Sequence, residues 1–285
     1  MKPKFTIITP CYNAENYILE TFESVVNQNA ITNGRADLEY IIYDGNSSDN
    51  TVNIVNEAQK KVNYADIKIY SEKDKGMYHA IVKGIRGATG DICAYINAGD
   101  FYSKSAFDIV LDVFDQYKEI NWLTGMHIHY NEDSQIVHAN LPYKYRQKLI
   151  VKGLYGKELI GSLKLPFIQQ ESTFWKSNMN RFLDYNKLEN LKYAGDHYIW
   201  YEFSKNEVLK IVEAYLGGFK HHKGQLSENK SKYYEEMAQV SDTPTLFDKA
   251  LALADIPLWL SHRKVKKFFN KNDLLQFNHF NQEWV

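Results

Sequence analysis

The stretch Ile92–Asp100, ICAYINAGD, is the one on which the fold turns. Ile92 to Ile96 is a short apolar and aromatic run, the length of a buried strand rather than of a helix. Ala98-Gly99-Asp100 then reads as a tight turn. A carboxylate delivered by such a turn stands at the carboxyl end of a sheet strand, where an open α/β sheet holds its ligand.

The chain upstream supplies the neighbouring strands. Phe5 to Thr9 predicts a first strand, with Pro10 ending its sheet pairing. A helix capped by Asn13 follows, with Ile18, Phe22 and Val25 on its apolar side. Leu38 to Tyr43 predicts a second strand, closed by the turn Asp44 to Asp49, and Val52, Val55, Ala58 and Val62 mark the next helix. Asp66 to Ser71 is a third strand, and a helix from Tyr78 to Arg86 leads into Ile92. After Asp100, Ser103 caps a helix bearing Phe107, Val110, Leu111 and Phe114. Strands and helices that alternate in this way predict a largely parallel sheet covered on both faces.

The alternation weakens after residue 118. Asn121 to His129 and Gln135 to Ala139 read as two strands, Tyr143 to Leu163 contains a helix, and Pro166 to Trp175 is an extended segment entering a strand. Asp196 stands just before an aromatic helix, His197 to Asn206, and Gly217 to Ser227 reads as a flexible loop. Thr243 and Pro244 open a further helix that Pro257 should end or kink. The simplest partition is one domain over 1–230, with a nucleotide-binding half to about residue 118 and an acceptor-binding half from 119, followed by a helical extension over 231–285.

Composition narrows the function. Thirty-four Lys and Arg against 35 Asp and Glu leave a net charge of -1 in 285 residues, which offers no general attraction to nucleic acid. Cys11 and Cys93 lie in or beside candidate core strands and are too few for a zinc site. The opening MKPKFTIITP lacks the apolar core of a signal peptide, and no run approaches the roughly 18 apolar residues of a spanning helix, so a cytoplasmic location is expected. Neither GxGxxG nor GxxxxGK occurs, nor the hydrolase GxSxG.

Three aspartates stand out. Asp100 and Asp44 each follow a strand. Either alone reads as a turn cap, but together they converge above a parallel sheet. Asp100 suits a divalent ion facing a diphosphate, because Mg²⁺ and Mn²⁺ prefer carboxylate and phosphate oxygens. Asp44 suits a pyrimidine N–H, and Thr9 could meet the same base through its backbone. Asp196 reads either as a helix cap or as a general base for a sugar hydroxyl. The histidines form no convincing metal cluster in the sequence.

In order and spacing, TIITPCYNAE, YIIYDGNSSDNT, SEKDKGMYHA, YINAGD, QQESTFW, YAGDHYIW and GGFKHHKGQLS resemble the family 2 glycosyltransferases, notably bacterial members acting on surface polysaccharides such as O-antigen and lipopolysaccharide. The resemblance implies a GT-A fold, a Rossmann-like sheet with a C-terminal appendage. It implies inverting transfer of a hexosyl or N-acetylhexosaminyl group from a nucleotide-sugar, UDP-linked, to a glycan or lipid-linked acceptor. It carries Thr9, Pro10, Asp44, Asp74, Asn97 and His222 over as donor contacts and Asp100 as ligand to Mn²⁺ or Mg²⁺. Asp196 becomes the base, and His79, Gln170, Glu171 and Trp175 become sugar contacts. Tyr43, Asn97 and Gly99 replace acidic residues of the family's pattern, and His79 and Val82 replace its usual Asp and Asn, which points to altered substrate choice. A non-catalytic nucleotide- or sugar-binding homologue is the alternative. A nucleotidyltransferase is a weaker one, since TPCYNAE supplies no glycine-rich activating loop. The basic, aromatic segment around Leu258–Phe269 suggests peripheral contact with the inner face of the cytoplasmic membrane. The sequence leaves the oligomeric state open.

Overall fold

The computed structural model describes residues 2–222, 225 and 228–285. The first half follows the alternation read above. Strands β1 (Lys4–Cys11), β2 (Asp37–Asp44), β3 (Asp66–Ser71) and β4 (Ile92–Tyr95) lie side by side in the order β3-β2-β1-β4, all parallel. Helices Ile18–Val26, Thr51–Gln59, Met77–Gly87 and Ala106–Gln116 connect and cover them. Phe5, Ile7 and Ile8 on β1 and Leu38, Tyr40 and Ile42 on β2 are buried, the pattern of strands covered on both faces.

The second half extends the same sheet. After β5 (Phe101–Tyr102) come β6 (Trp122–Thr124), β7 (His127–Tyr130), β8 (Ile136–Asn140), and the hairpin β9 (Glu158–Ile160) and β10 (Leu163–Lys164). Then follow β11 (Thr173–Lys176), β12 (Lys210–Val212), β13 (Gly217–Lys220) and β14 (Leu274–Leu275). Among the described residues the central sheet has eight strands in the order β14-β12-β6-β11-β4-β1-β2-β3, with β11 antiparallel to both its neighbours. A smaller sheet, β5-β13-β7-β8, stands beside it. The segment 231–285 holds helices Lys230–Val240, Leu246–Leu260 and Arg263–Phe269, and then gives β14 to the sheet edge.

Several local expectations are corrected. Pro10 does not end β1, because pairing to β2 continues through Cys11. The strand's other side is already free there, since β4 pairs with β1 only to Ile8, so the missing N–H costs no ladder bond. The first helix starts at Ile18 behind Tyr17. Asn13 instead has φ 47° and accepts a hydrogen bond from the Ser48 N–H on Oδ1 at 2.9 Å. Ser103 donates to the Tyr215 carbonyl at 2.6 Å, two residues ahead of the cap position at Ser105. The predicted strand Asn121–His129 is split at Gly125–Met126 between the two sheets, and only Gln147–Val151 of 143–163 is α-helical. Gly217–Lys220 is a strand, while Lys223, Gly224, Leu226 and Ser227 of the predicted loop lie outside the described residues. Thr245, not Thr243, caps the long helix in a reciprocal box with Asp248, and that helix runs past Pro257 to Leu260.

Candidate active site

A cleft of about 790 Å³ opens above the carboxyl ends of β1, β2 and β4. Pro10 and Cys11 from β1, Gly45 after β2, and Asn97, Ala98 and Asp100 after β4 form its floor. Asp196 comes to the same cleft from the first turn of helix Gly195–Ser204, rather than from just before it.

The turn carrying Asp100 is held from the first helix. Gly99 sits at φ 111°, which a side chain would strain. The buried Thr21 hydroxyl accepts from the Gly99 N–H at 2.9 Å and donates to the Asp100 carbonyl at 2.7 Å. The Asp100 carboxylate accepts the Lys220 N–H from β13 at 2.9 Å. Glu171 arrives from the 3-10 turn Gln170–Ser172, and Gly217 lets β13 pass over it, since a Cβ there would lie 2.0 Å from the Glu171 carbonyl oxygen.

The two buried carboxyls hydrogen-bond to each other, so the pair carries a proton. Burial first, and then the facing Glu171 charge, raise Asp100 well above the ordinary carboxylate range. Burial raises Glu171 to about 7, with the Asp196 charge adding to the rise. Burial likewise lifts Asp196 to about 6, although the His197 N–H and the Tyr233 hydroxyl favour its anion. Tyr233 donates to Asp196 Oδ2 at 3.3 Å, while Oδ1 is buried with no hydrogen-bond partner among the described residues. An unpartnered carboxylate oxygen beside a cleft is suited to accept a proton.

Of the other expected residues, Pro10, Asp74, Asn97, Gln170, Glu171 and His222 line the cleft. Asp74 accepts the Gly76 N–H at 2.8 Å, and Asn97 donates to Gln170 Oε1 at 3.3 Å. The Gln170 amide donates in turn to the Tyr95 carbonyl. The His222 ring stacks on Tyr17 with centroids 4.2 Å apart.

Four expected residues are not brought there. Thr9 lies below the rim because β1 runs two residues further, and its hydroxyl is 3.0 Å from that of Tyr40 in the core. Asp44 is folded into its own turn. It accepts from the Ser47 N–H at 2.9 Å, from the Ser71 hydroxyl at 2.6 Å and from the Ser47 hydroxyl, and Gly45 takes its place at the cleft. His79 faces away on helix Met77–Gly87, where its neighbours Met77 and Tyr78 line the cleft instead. Trp175 is buried beside Trp200 and Phe203, because the antiparallel β11 carries it down to Cys93, away from the rim.

The helix Lys230–Val240 was unforeseen as part of the site. It contributes Tyr233, and its Glu236 carboxylate accepts the N–H groups of Lys192, Tyr193 and Ala194 at 2.8, 2.7 and 2.6 Å, just ahead of Asp196. Tyr17, Tyr78, Tyr193 and Phe219 also line the cleft. With 21 tyrosines in the chain, only the pair Tyr233-Tyr234 inside a polar run hinted at this.

Comparison with known proteins agrees with this architecture. The putative teichuronic acid biosynthesis glycosyltransferase TuaG of Bacillus subtilis is 25% identical over 238 residues, covering 75% of this chain and 92% of its own. A dolichyl N-acetyl-alpha-D-glucosaminyl phosphate 3-beta-D-2,3-diacetamido-2,3-dideoxy-beta-D-glucuronosyltransferase of Methanococcus voltae is 30% identical over 40% of this chain, which spans only 35% of that relative's length. The minor teichoic acid biosynthesis protein GgaB of B. subtilis is 31% identical over 40% of this chain and only 12% of its own length. In structure the chain superposes on S. aureus TarS 1–349 in complex with UDP-GlcNAc with a TM-score of 0.61 at 16% identity, covering 94% of this chain and 73% of that one. It superposes on the mannosyltransferase PcManGT from Pyrobaculum calidifontis, solved with GDP-Man and Mn²⁺, with a TM-score of 0.57 at 13% identity, over 95% and 79% of the two chains. Both superpositions support the GT-A fold. Residues 6–207 match the family model described as glycosyl transferase family 2, and the chain belongs to that family.

Proposed function

We propose that this glycosyltransferase moves a hexosyl or N-acetylhexosaminyl group, with inversion, from a UDP-linked sugar to a hydroxyl of a lipid-linked or growing surface glycan at the inner face of the cytoplasmic membrane. The observation that carries the reading is a single cleft bounded by Asp100 with Glu171 on one side and by Asp196 on the other. The nucleotide lies over Pro10, Cys11, Gly45 and Asp74, and its diphosphate points toward Asp100 and His222.

The residues at Asp100 fit a hard divalent cation. Two buried carboxyls share one proton there, and the same oxygens suit Mg²⁺ or Mn²⁺ once that proton leaves. Among the described residues no group of three or more His, Cys, Asp or Glu side chains forms a metal cage, so Asp100 would hold the ion together with the donor phosphates. When bound, the ion would neutralise charge on the departing nucleoside diphosphate.

Asp196 takes the acceptor hydroxyl proton as that oxygen attacks the anomeric carbon from the face opposite the diphosphate. The bond to the diphosphate breaks as the new glycosidic bond forms, so the configuration inverts. Tyr233 orients the base through Oδ2 and leaves Oδ1 to receive the proton.

A donor screen tests the reading by following release of nucleoside diphosphate from UDP-, GDP- and dTDP-sugars with and without Mn²⁺ or Mg²⁺. Release from a UDP-sugar that needs the cation is the expected result. No release from any nucleotide-sugar, with or without acceptor, would remove it.

A further inference from the structure

The helix Leu246–Leu260 is amphipathic in the inverted sense. Its inner side carries charge: Asp248 and Asp255 are buried, paired to Lys148 at 2.7 Å and to Arg146 through two bonds of 2.6 and 2.8 Å. Its outer side carries none of that. Leu246, Ala250, Leu253, Pro257 and Leu260 recur at the spacing of a single helical stripe, flanked by Phe247 and Ala254, with Lys249 as the one exposed charge. Leu246, Phe247 and Leu260 are 86, 68 and 81% exposed. A helix facing water carries the opposite arrangement.

The apolar surface continues on both flanks. Helix Arg263–Phe269 adds Phe268 and Phe269, 65 and 57% exposed, and the β9–β10 hairpin, which touches the long helix, adds Ile160 and Leu163. Trp259, at the centre of the segment first singled out in the sequence, is buried and takes no part.

The charge around this surface has one sign. Residues 256–272 contain five Lys and Arg and no acid. Arg263 is paired with Glu213, and Lys266 is buried against the Leu141 carbonyl. Lys264, Lys267 and Lys271 remain on the outside with no ion pair among the described residues, joined by Lys157 and Lys164 at the hairpin. Lys148 and Lys271 lie over the rings of Phe247 and Phe268. An apolar face ringed by cations complements an anionic bilayer, whose head groups meet the lysines while leucine and phenylalanine enter the acyl boundary. It does not complement a second copy of itself, since the like charges would face each other.

The surface also borders the cleft. Phe167, just beyond the hairpin, packs edge-on to Tyr233 with ring centroids 5.4 Å apart, and Tyr233 holds Asp196. We infer that the outer face of Leu246–Leu260, with the β9–β10 hairpin and helix Arg263–Phe269, docks this enzyme on anionic lipid and turns the Asp196 side of the cleft toward a membrane-borne acceptor. The second half of that statement rests on the transferase reading; the docking does not.

The full chain would be sedimented with vesicles of phosphatidylcholine alone and of phosphatidylcholine with about 30 mol% phosphatidylglycerol. Binding to the anionic vesicles that weakens with salt is expected. The variant Phe247→Ser/Leu260→Ser/Phe268→Ser, altered only at exposed positions and checked by thermal melt, should bind about tenfold less. Lys264→Glu/Lys267→Glu should lose the preference for anionic lipid. Donor hydrolysis in solution should be unchanged in both, which separates docking from catalysis. Negligible wild-type binding to either vesicle, binding that both variants retain, or a dimer in solution that Phe247→Ser dissociates would each overturn the proposal.

Discussion

Asp196 is the residue on which chemistry and environment meet most sharply. Burial lifts its carboxyl from the ordinary range to about 6, so the ionised form needed to accept a proton prevails only above that value. The sign follows directly. Below about pH 6 the group is protonated and cannot act as a base, so kcat should rise with pH through about 6 and level off above it. The same shift favours the folded state below 6, where the native group binds a proton that the unfolded chain has already lost, and that contribution is lost as pH rises through 6. A pH–rate profile of transfer that stays flat between 5 and 8 would separate Asp196 from the proton transfer. Asp100 and Asp196 were legible in the sequence because each sits at a recognisable junction of apolar strand or aromatic helix with a short Ala-Gly-Asp turn. Trp175 was not placed correctly, because the direction of its strand depends on pairing with β4 and β6, which no local pattern records.

At the scale of elements, the helix Lys230–Val240 acts as a strut. Glu236 gathers three consecutive N–H groups ahead of Asp196, and Tyr233 fixes one oxygen of the base. Removing the Glu236 carboxylate frees that segment and lets the base shift. Small misplacements of a reacting group cost rate more than binding. Glu236→Ala should therefore lower kcat by about ten- to a hundredfold, with the donor dissociation constant within about twofold of wild type. A matching loss of donor affinity, measured by calorimetry, would instead mean that the whole cleft had collapsed. The first four strands and their helices could be read within two or three residues, because parallel strands buried on both faces form unbroken apolar runs. The later strands are two to five residues long and are stabilised by partners far away in sequence, as β13 is by β5 and β7, so their local signal is weak.

For the molecule as a whole, a sheet built from both halves of the chain brings the donor side, near Asp100, against the acceptor side, near Asp196. The expected boundary at residue 230 does not isolate the last segment from this arrangement. Tyr233 enters the cleft, Glu236 braces it, and β14 closes the sheet edge. That integration left little trace in the sequence, since it depends on side chains meeting across more than thirty residues of intervening chain. The exposed apolar face of Leu246–Leu260 was equally hidden, because only the fold reveals that its aspartates point inward. The most direct test of the central claim is to measure, on one preparation of Asp196→Asn, both sugar transfer and donor binding. The account predicts transfer lost by at least about a thousandfold, with donor affinity within a few-fold of wild type. Transfer at the wild-type rate would contradict it.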